Sequence, residues 1–350
     1  ARQTGKTTLV KLIQEKYPKQ SAYFNCDEPD IRAALTDKTS TEIKSFFGNK
    51  KLIILDEAQR VKNIGLSLKL MVDNFPKTQI IATGSSSFEL SNKIKEPLTG
   101  RKREFHLYPF SIAELNSIYS NLEINRLLER MMIFGMYPAV ALSGGENQDK
   151  GLKELTRSYL YKDALQYQNI KNPEILEKLL QALALQIGNE VSYNELANSL
   201  GIDKNTVANY IRILEQAFIV FRLNPFSRNL RNELKKMRKI YFYDVGIRNA
   251  LINNLNPLDL RQDAGALWEN FIISERLKRN NNLNFEVNSY FWRTRQGQEI
   301  DYIEEVGGKI SSYEFKWKQN KWQPPKAFIE TYPQSKCQLI NKENYRQFLR

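Results

Sequence analysis

The sequence predicts an α/β chain with more than one domain, and three observations carry that prediction. A glycine-lysine-threonine run, Gly5-Lys6-Thr7, leads into apolar residues at helical spacing. A wholly apolar segment, residues 52–55, ends in two acids, Asp56 and Glu57. Far downstream, Gly307-Gly308 separates two segments in which apolar and polar residues alternate. With 350 residues and 41% hydrophobic content, the chain is long enough for two or three separate cores.

The first element is a phosphate-binding loop. Ala1-Arg2-Gln3-Thr4-Gly5-Lys6-Thr7-Thr8 matches the end of G-x-x-x-x-G-K-[ST]. Such a loop turns backbone N–H groups of residues such as Gly5 and Thr8 toward phosphates, sends Lys6 to the β- and γ-phosphates and gives Thr7 to Mg²⁺. A helix should follow, with Leu9, Leu12 and Ile13 on its buried face and its N-terminus toward the phosphates. The second element is the buried strand that ends at Asp56, which would hold Mg²⁺, and Glu57, which would orient and deprotonate a water. A third strand, residues 79–82, ends in Thr83-Gly84-Ser85-Ser86. The hydroxyls of Thr83 and Ser85 would either sense the γ-phosphate or satisfy the turn backbone.

Together A-R-Q-T-G-K-T-T-L, L-I-I-L-D-E-A-Q-R, I-I-A-T-G-S-S, L-T-G-R and L-Y-P-F-S-I-A-E-L resemble a widespread prokaryotic family of AAA-like ATP-binding proteins with a C-terminal domain of unknown function. The resemblance runs over nearly the whole chain. It implies ATP and Mg²⁺ as ligands, and a phosphate-sensing role for Arg101, which would otherwise belong to a solvated basic turn. It also implies a strand and a first loop glycine before Ala1. The chain, which opens without Met, thus reads as part of a longer gene whose parallel sheet lacks its first strand here. Where the family has a Gly-Gly-x-Pro turn, this chain has Gly135-Met136-Tyr137-Pro138.

The middle of the chain reads as a helix-turn-helix. Apolar residues recur at helical spacing through residues 175–185; then Ser192 and Glu195 form a capping-box pattern, Gly201 a turn, and Asp203 a second cap. The second helix would bury Val207, Ile211, Leu214 and Phe218, and would present Lys204, Asn205, Thr206, Asn209 and Arg212 to DNA phosphates and base edges. A strand at residues 219–223 would complete a winged helix. The net charge of +13 favours polyanionic partners, nucleic acid before membrane surface. Its densest stretch is residues 222–239, with Arg222, Arg228, Arg231, Lys235, Lys236, Arg238 and Lys239 against Glu233; this is either a solvated linker or a second double-stranded DNA contact.

In the last third, the Gly307-Gly308 turn sets a hairpin in which opposite residues pair Val306 with Lys309 and, further along, Asp301 with Glu314. Alternation would then put Glu299, Asp301, Glu314 and Lys316 on one face, and Ile300, Tyr302, Tyr313, Phe315 and Trp317 on the core face. Like charges opposite each other are destabilising unless a divalent cation joins them. This D…E-x-K pattern resembles the restriction-endonuclease-like nuclease core, which implies a metal site of Asp301, Glu314 and, from the preceding helix, Glu269, with Lys316 beside it. Lys316 would otherwise pair with Glu299 or Glu314 in an exposed ladder.

The expected division is an AAA-like ATPase part with a helical extension (1–145), a helical and winged-helix part (146–225), and an α/β nuclease-like part (226–350). The expected function is Mg²⁺-dependent ATP hydrolysis coupled to DNA binding. The rivals are a non-catalytic, nucleotide-switched DNA-binding scaffold and an ATP-gated nuclease. Two cysteines, Cys26 and Cys337, exclude a disulfide framework and a four-cysteine zinc site and fit a cytoplasmic protein with reduced thiols. No apolar run approaches the roughly eighteen residues that span a bilayer, so no membrane partner is expected. Self-association is left open. The single His106 falls in an expected strand, residues 104–107, and reads as structural.

Overall fold

A strand buried on both faces has no polar side to show, and Leu52–Asp56 is such a strand, with all five residues buried. It is β2, between β1 (Ser21–Asn25) and β3 (Gln79–Ala82), and all three run parallel in the order β1-β2-β3. Parallel neighbours need crossovers, and helices supply them. The helix α1 (Lys6–Lys16) precedes β1; α2 (Pro29–Leu35) and α3 (Ser40–Phe47) join β1 to β2, and α4 (Ile64–Asn74) joins β2 to β3. The period of two along β2 divides its side chains. Ile53 and Leu55 enter a core with Leu35, Ile43, Leu68 and Met71, while Leu52 and Ile54 meet Val10 of α1.

The computed structural model describes residues 3–84, 98–144, 147–159, 170, 172–226, 238–319 and 321–350. Its contacts divide the chain into two units, one of Ala1–Leu107 with Gln216–Phe218, the other of Tyr108–Glu215 with Ile219–Arg350. Two expectations for the first unit change. Leu9 and Leu12 of α1 are half exposed and Val10 is the buried residue, because α1 turns that side onto β2. Residues 104–107 do not form a strand; the His106 ring lies 5.4 Å from that of Phe218.

The second unit begins with α5 (Ile112–Leu115), α6 (Asn121–Phe134), α7 (Pro138–Ala141), α8 (Asn147–Tyr159) and α9 (Pro173–Leu185). The two-residue β4 (Glu190–Val191), α10 (Tyr193–Leu200) and α11 (Lys204–Gln216) follow, then β5 (Val220–Pro225), β6 (Arg238–Phe242), α12 (Val245–Leu251) and the long α13 (Ala264–Asn282). The chain closes with β7 (Asn288–Arg293), β8 (Glu299–Val306), β9 (Lys309–Phe315), α14 (Lys326–Thr331), β10 (Lys336–Ile340) and α15 (Tyr345–Leu349). One sheet in the order β10-β9-β8-β7-β5-β6-β4 gathers every strand of this unit among the described residues.

Neither expected boundary falls where the chain divides. Residues 108–144 belong with the second unit because α6 and its following turn are fastened to α12. Asn249 Nδ2 donates to the carbonyls of Met132 and Ile133 at 3.0 and 2.8 Å, and the Met136 N–H donates to Asp244 Oδ2 at 2.7 Å. Gly135 (φ +75) belongs to this joint, since a Cβ there would stand 2.0 Å from Asp244 Oδ1. The boundary expected at residue 225 runs through the sheet. The first four residues of β5 pair antiparallel with β6 and its last two pair parallel with β7, so the two parts share one strand.

Candidate active site

Two clusters of functional side chains were expected, and each is built by a different part of the fold. In the first unit, Gly5 takes a left-handed backbone (φ +90) that turns the chain into α1, so that Lys6, Thr7 and Thr8 form the first turn of the helix. The parallel sheet brings the end of β2 to the same place. Thr7 Oγ1 donates to Asp56 Oδ2 at 2.7 Å, across 49 residues of sequence. The Tyr23 hydroxyl of β1 donates to that same oxygen at 2.7 Å, and Thr83, just beyond β3, donates to Asp56 Oδ1. Burial pushes the Asp56 carboxyl up, but the hydroxyls of Thr83, Tyr23 and Thr7 and the Glu57 N–H outweigh it and hold the group below its ordinary value, hence ionised.

Glu57 follows in a left-handed conformation (φ +52). That backbone costs a residue with a Cβ roughly 1–2 kcal/mol, and such outliers concentrate at functional positions. Its N–H donates to Thr83 Oγ1 at 3.2 Å, and its carboxylate accepts from Gln59 Nε2. Thr83 therefore ties the two acids together, whereas Ser85 lies outside the described residues. Lys6, Thr83, Gly84 and Arg101 line one cavity of about 1000 Å³ beside β3, and the Arg101 guanidinium pairs with Asp73 of α4. A hydroxyl and an ionised carboxylate in contact at the start of α1, with a lysine next to them, are a donor set that fits Mg²⁺ with a polyphosphate. Sequence reasoning missed Tyr23. Its signal was the parallel register, which sets Asn25 beside Asp56 and Tyr23 one pleat earlier on the same side.

In the second unit the hairpin forms with the expected register from Tyr302↔Tyr313 to Val306↔Lys309. The strict alternation does not hold beyond it. Tyr290 pairs with Ile303 and Trp292 with Ile300, so β8 carries one residue more than β7 over that stretch, a β-bulge. As a result Ile300 packs with Ile303, Trp292 and Phe328, while the Tyr302 ring meets those of Tyr313, Phe315 and Phe348. The face expected to be polar and open is buried too: Asp301 and Glu314 are each 6% exposed.

The acids meet a lysine. Lys239, at the start of β6, has a side chain 1% exposed, and its Nζ lies 2.9 Å from Glu269 Oε1, 3.9 Å from Asp301 Oδ1 and in contact with Glu299. The Tyr241 hydroxyl donates to Glu269 Oε1 at 2.5 Å, the Phe315 N–H donates to Asp301 Oδ2 at 2.9 Å, and Lys316 pairs with Glu314 at 2.6 Å. Burial by itself would push the Lys239 ammonium down, but Glu269, Asp301 and Glu299 outweigh it and hold it above its ordinary range. Burial, then Glu269, push the Asp301 carboxyl up; burial, then Asp301, push Glu314 up to about 7. The expected metal set of Glu269, Asp301 and Glu314 is corrected accordingly. Among the described residues no group of three or more acidic, histidine or cysteine side chains is arranged to hold a metal ion.

The basic run also changes character. Arg222 is paired with Glu215 at 2.6 Å, the Arg238 guanidinium lies 5.5 Å from the centre of the Tyr193 ring, and Lys239 is buried. Arg228, Arg231, Lys235 and Lys236 lie outside the described residues, in the connection between β5 and β6. On α11, Lys204, Asn205 and Arg212 are exposed, whereas Thr206 and Asn209 are half-buried. Asp203 caps that helix through the Asn205 and Thr206 N–H groups, and Gly201 (φ +66) ends α10. No helix among the described residues is long and apolar enough to cross a membrane.

Comparison with known proteins divides the chain into three matches. Residues 1–116 match the family model for an AAA domain, residues 125–258 a domain of unknown function (DUF8612) and residues 264–348 another domain of unknown function (DUF4143). An uncharacterized protein of Mycobacterium tuberculosis is 27% identical over 321 residues, 90% of this chain and 68% of that one. An uncharacterized protein of Methanocaldococcus jannaschii is 26% identical over 322 residues, 86% and 70% of the two chains. One from Haemophilus influenzae is 23% identical over 263 residues, 72% and 63%. A match to the crystal structure of a Vibrio cholerae protein covers 83% of this chain and 81% of that one, with a TM-score of 0.18 and 13% identity.

Proposed function

We propose, for a chain that belongs to the AAA-like family of ATP-binding proteins with C-terminal domains of unknown function, that it hydrolyses ATP with Mg²⁺ and couples this to double-stranded DNA. The observation that carries the reading is the meeting of Thr7 and Asp56 at 2.7 Å beside Lys6. Lys6 would bind the β- and γ-phosphates, and the N–H groups of Gly5 and of the first turn of α1, Thr8 among them, would donate to the phosphate oxygens. Thr7 and Asp56 would hold Mg²⁺, which when bound offsets charge on the phosphates. Glu57 would orient the attacking water and take its proton, with Thr83 keeping its backbone aligned to Asp56. Arg101, at the same cavity, would sense phosphate only by leaving Asp73.

The DNA half of the reading rests on α10, the Gly201 turn and α11, followed by β5 and β6 with β4 alongside β6. That order of elements supports a winged helix. Lys204, Asn205 and Arg212 would face DNA, and Lys235 and Lys236 would add phosphate contacts from the β5–β6 connection. Lys239 takes no part in this.

The test is a pair of variants in one assay. Lys6→Ala should lose ATP binding, and Glu57→Gln should bind ATP normally and lose turnover. Hydrolysis at the wild-type rate by Glu57→Gln refutes the assigned base. For DNA, Lys235→Ala with Lys236→Ala should weaken duplex binding and reduce its salt slope by about 2; an unchanged slope refutes the contact.

A further inference from the structure

The cluster of Glu269, Glu299 and Asp301 has the residue types of a divalent-cation site, yet its geometry is that of a site already filled. We propose that the Lys239 ammonium is the resident cation of this cluster, so that the C-terminal unit takes no divalent metal there and does not cleave phosphodiesters by metal-assisted hydrolysis.

Four elements converge on one nitrogen. Glu269 comes from α13, Glu299 and Asp301 from β8, Lys239 from β6, and the Phe291 ring of β7 lies 5.6 Å from Nζ. A divalent ion needs carboxylate oxygens at about 2.0–2.6 Å. Here Nζ itself stands between the acids, 2.9 Å from Glu269 Oε1 and 3.9 Å from Asp301 Oδ1. A metal would have to share that volume with a like charge. Lys239 has nowhere near to withdraw to, since its side chain is 1% exposed and its backbone is locked in the ladder between β5 and β4, opposite Leu223 and Glu190.

Two further oxygens of the cluster, Asp301 Oδ2 and Glu299 Oε2, are engaged as well, and Glu269 Oε1 has a second partner. Tyr241 donates to Glu269, the Phe315 N–H donates to Asp301 Oδ2, and Arg293 lies 3.4 Å from Glu299 Oε2. Lys316 holds Glu314 in an ion pair at 2.6 Å. The pattern that resembles a nuclease core is therefore closed by an internal counter-charge. The ammonium also fastens β6 to α13 and to β8, a strand that β7 and β5 separate from β6 in the sheet. The inference is independent of the ATPase reading.

The experiment counts bound Mn²⁺ by electron paramagnetic resonance on the full chain without nucleotide, comparing wild type with Asp301→Asn. Equal counts are expected. One more Mn²⁺ per wild-type chain than per Asp301→Asn chain overturns the proposal. Lys239→Met is the gain-of-site variant. It should melt below wild type, bind one additional Mn²⁺ and recover stability with Mn²⁺, and Lys239→Met/Asp301→Asn should lose that recovery. A folded Lys239→Met chain that binds no additional Mn²⁺ overturns the proposal. If Lys239→Met does not fold, the wild-type comparison decides. Duplex DNA incubated with wild type and Mg²⁺ or Mn²⁺ should stay intact; cleavage that disappears in Asp301→Asn overturns it as well.

Discussion

Tyr23→Phe removes one hydroxyl from the proposed nucleotide site and leaves its ring in place. That hydroxyl donates to Asp56 Oδ2 at 2.7 Å, the oxygen that Thr7 also reaches. A hydrogen bond to an ionised group contributes about 1.5–3 kcal/mol. Asp56 would keep Thr7, Thr83 and the Glu57 N–H as donors, so the lower end of that range applies. At about 1.4 kcal/mol per factor of ten, the half-saturating Mg²⁺ concentration for ATP hydrolysis should rise about tenfold. The rate at saturating Mg²⁺ should stay within about twofold, because Tyr23 reaches Asp56 and not Glu57. Phosphate release measured across a Mg²⁺ titration reads both quantities. Loss of a donor also raises the Asp56 carboxyl, so the gap between the two proteins should widen as pH falls. An unchanged Mg²⁺ dependence, or a loss confined to the maximal rate, would refute the view that Tyr23 positions Asp56.

Other perturbations test the joints of the fold. Gly135→Ala places a Cβ 2.0 Å from Asp244 Oδ1 at φ +75 and disturbs the Met136–Asp244 hydrogen bond; backbone strain alone is about 1–2 kcal/mol, so the melting midpoint should drop by several degrees in calorimetry. Burial pushes the Asp263 carboxyl up, but hydrogen bonds from Arg261 and Arg248 outweigh it and hold it at about 2. A depressed carboxyl adds stability above its unfolded value near 3.8 that is lost as pH falls toward 2. Asp263→Asn should therefore melt lower than wild type at pH 7, with the difference closing over that acid window. Arg101→Ala removes an exposed pair with Asp73 and should change stability by less than about 0.5 kcal/mol; a large loss of ATP turnover without loss of stability would mark it as a phosphate sensor.

Local chemistry made several features legible in the sequence. The Gly5-Lys6-Thr7 run needs a left-handed glycine ahead of a helix, and the structure has one there. Residues 52–55 are apolar throughout, as suits a strand covered on both faces. The Gly307-Gly308 turn determined the register of β8 and β9 as far as Tyr302, since a two-residue turn leaves the pairing no freedom.

What only the tertiary structure decided depends on residues far apart in sequence. Tyr23 and Thr83 join Asp56 because three parallel strands end side by side, which no single segment encodes. Residues 108–144 join the second unit because Asn249 and Asp244, more than a hundred positions away, take up backbone groups left over at the end of α6. The β8 bulge breaks the alternation at a point set by β7, not by the hairpin turn. Lys239 is the sharpest case. In sequence it is the last member of a basic run, and such residues ordinarily stay in water. In the fold it is buried, because α13 and β8 bring Glu269, Glu299 and Asp301 around it and an ammonium enclosed by carboxylates need not keep its hydration.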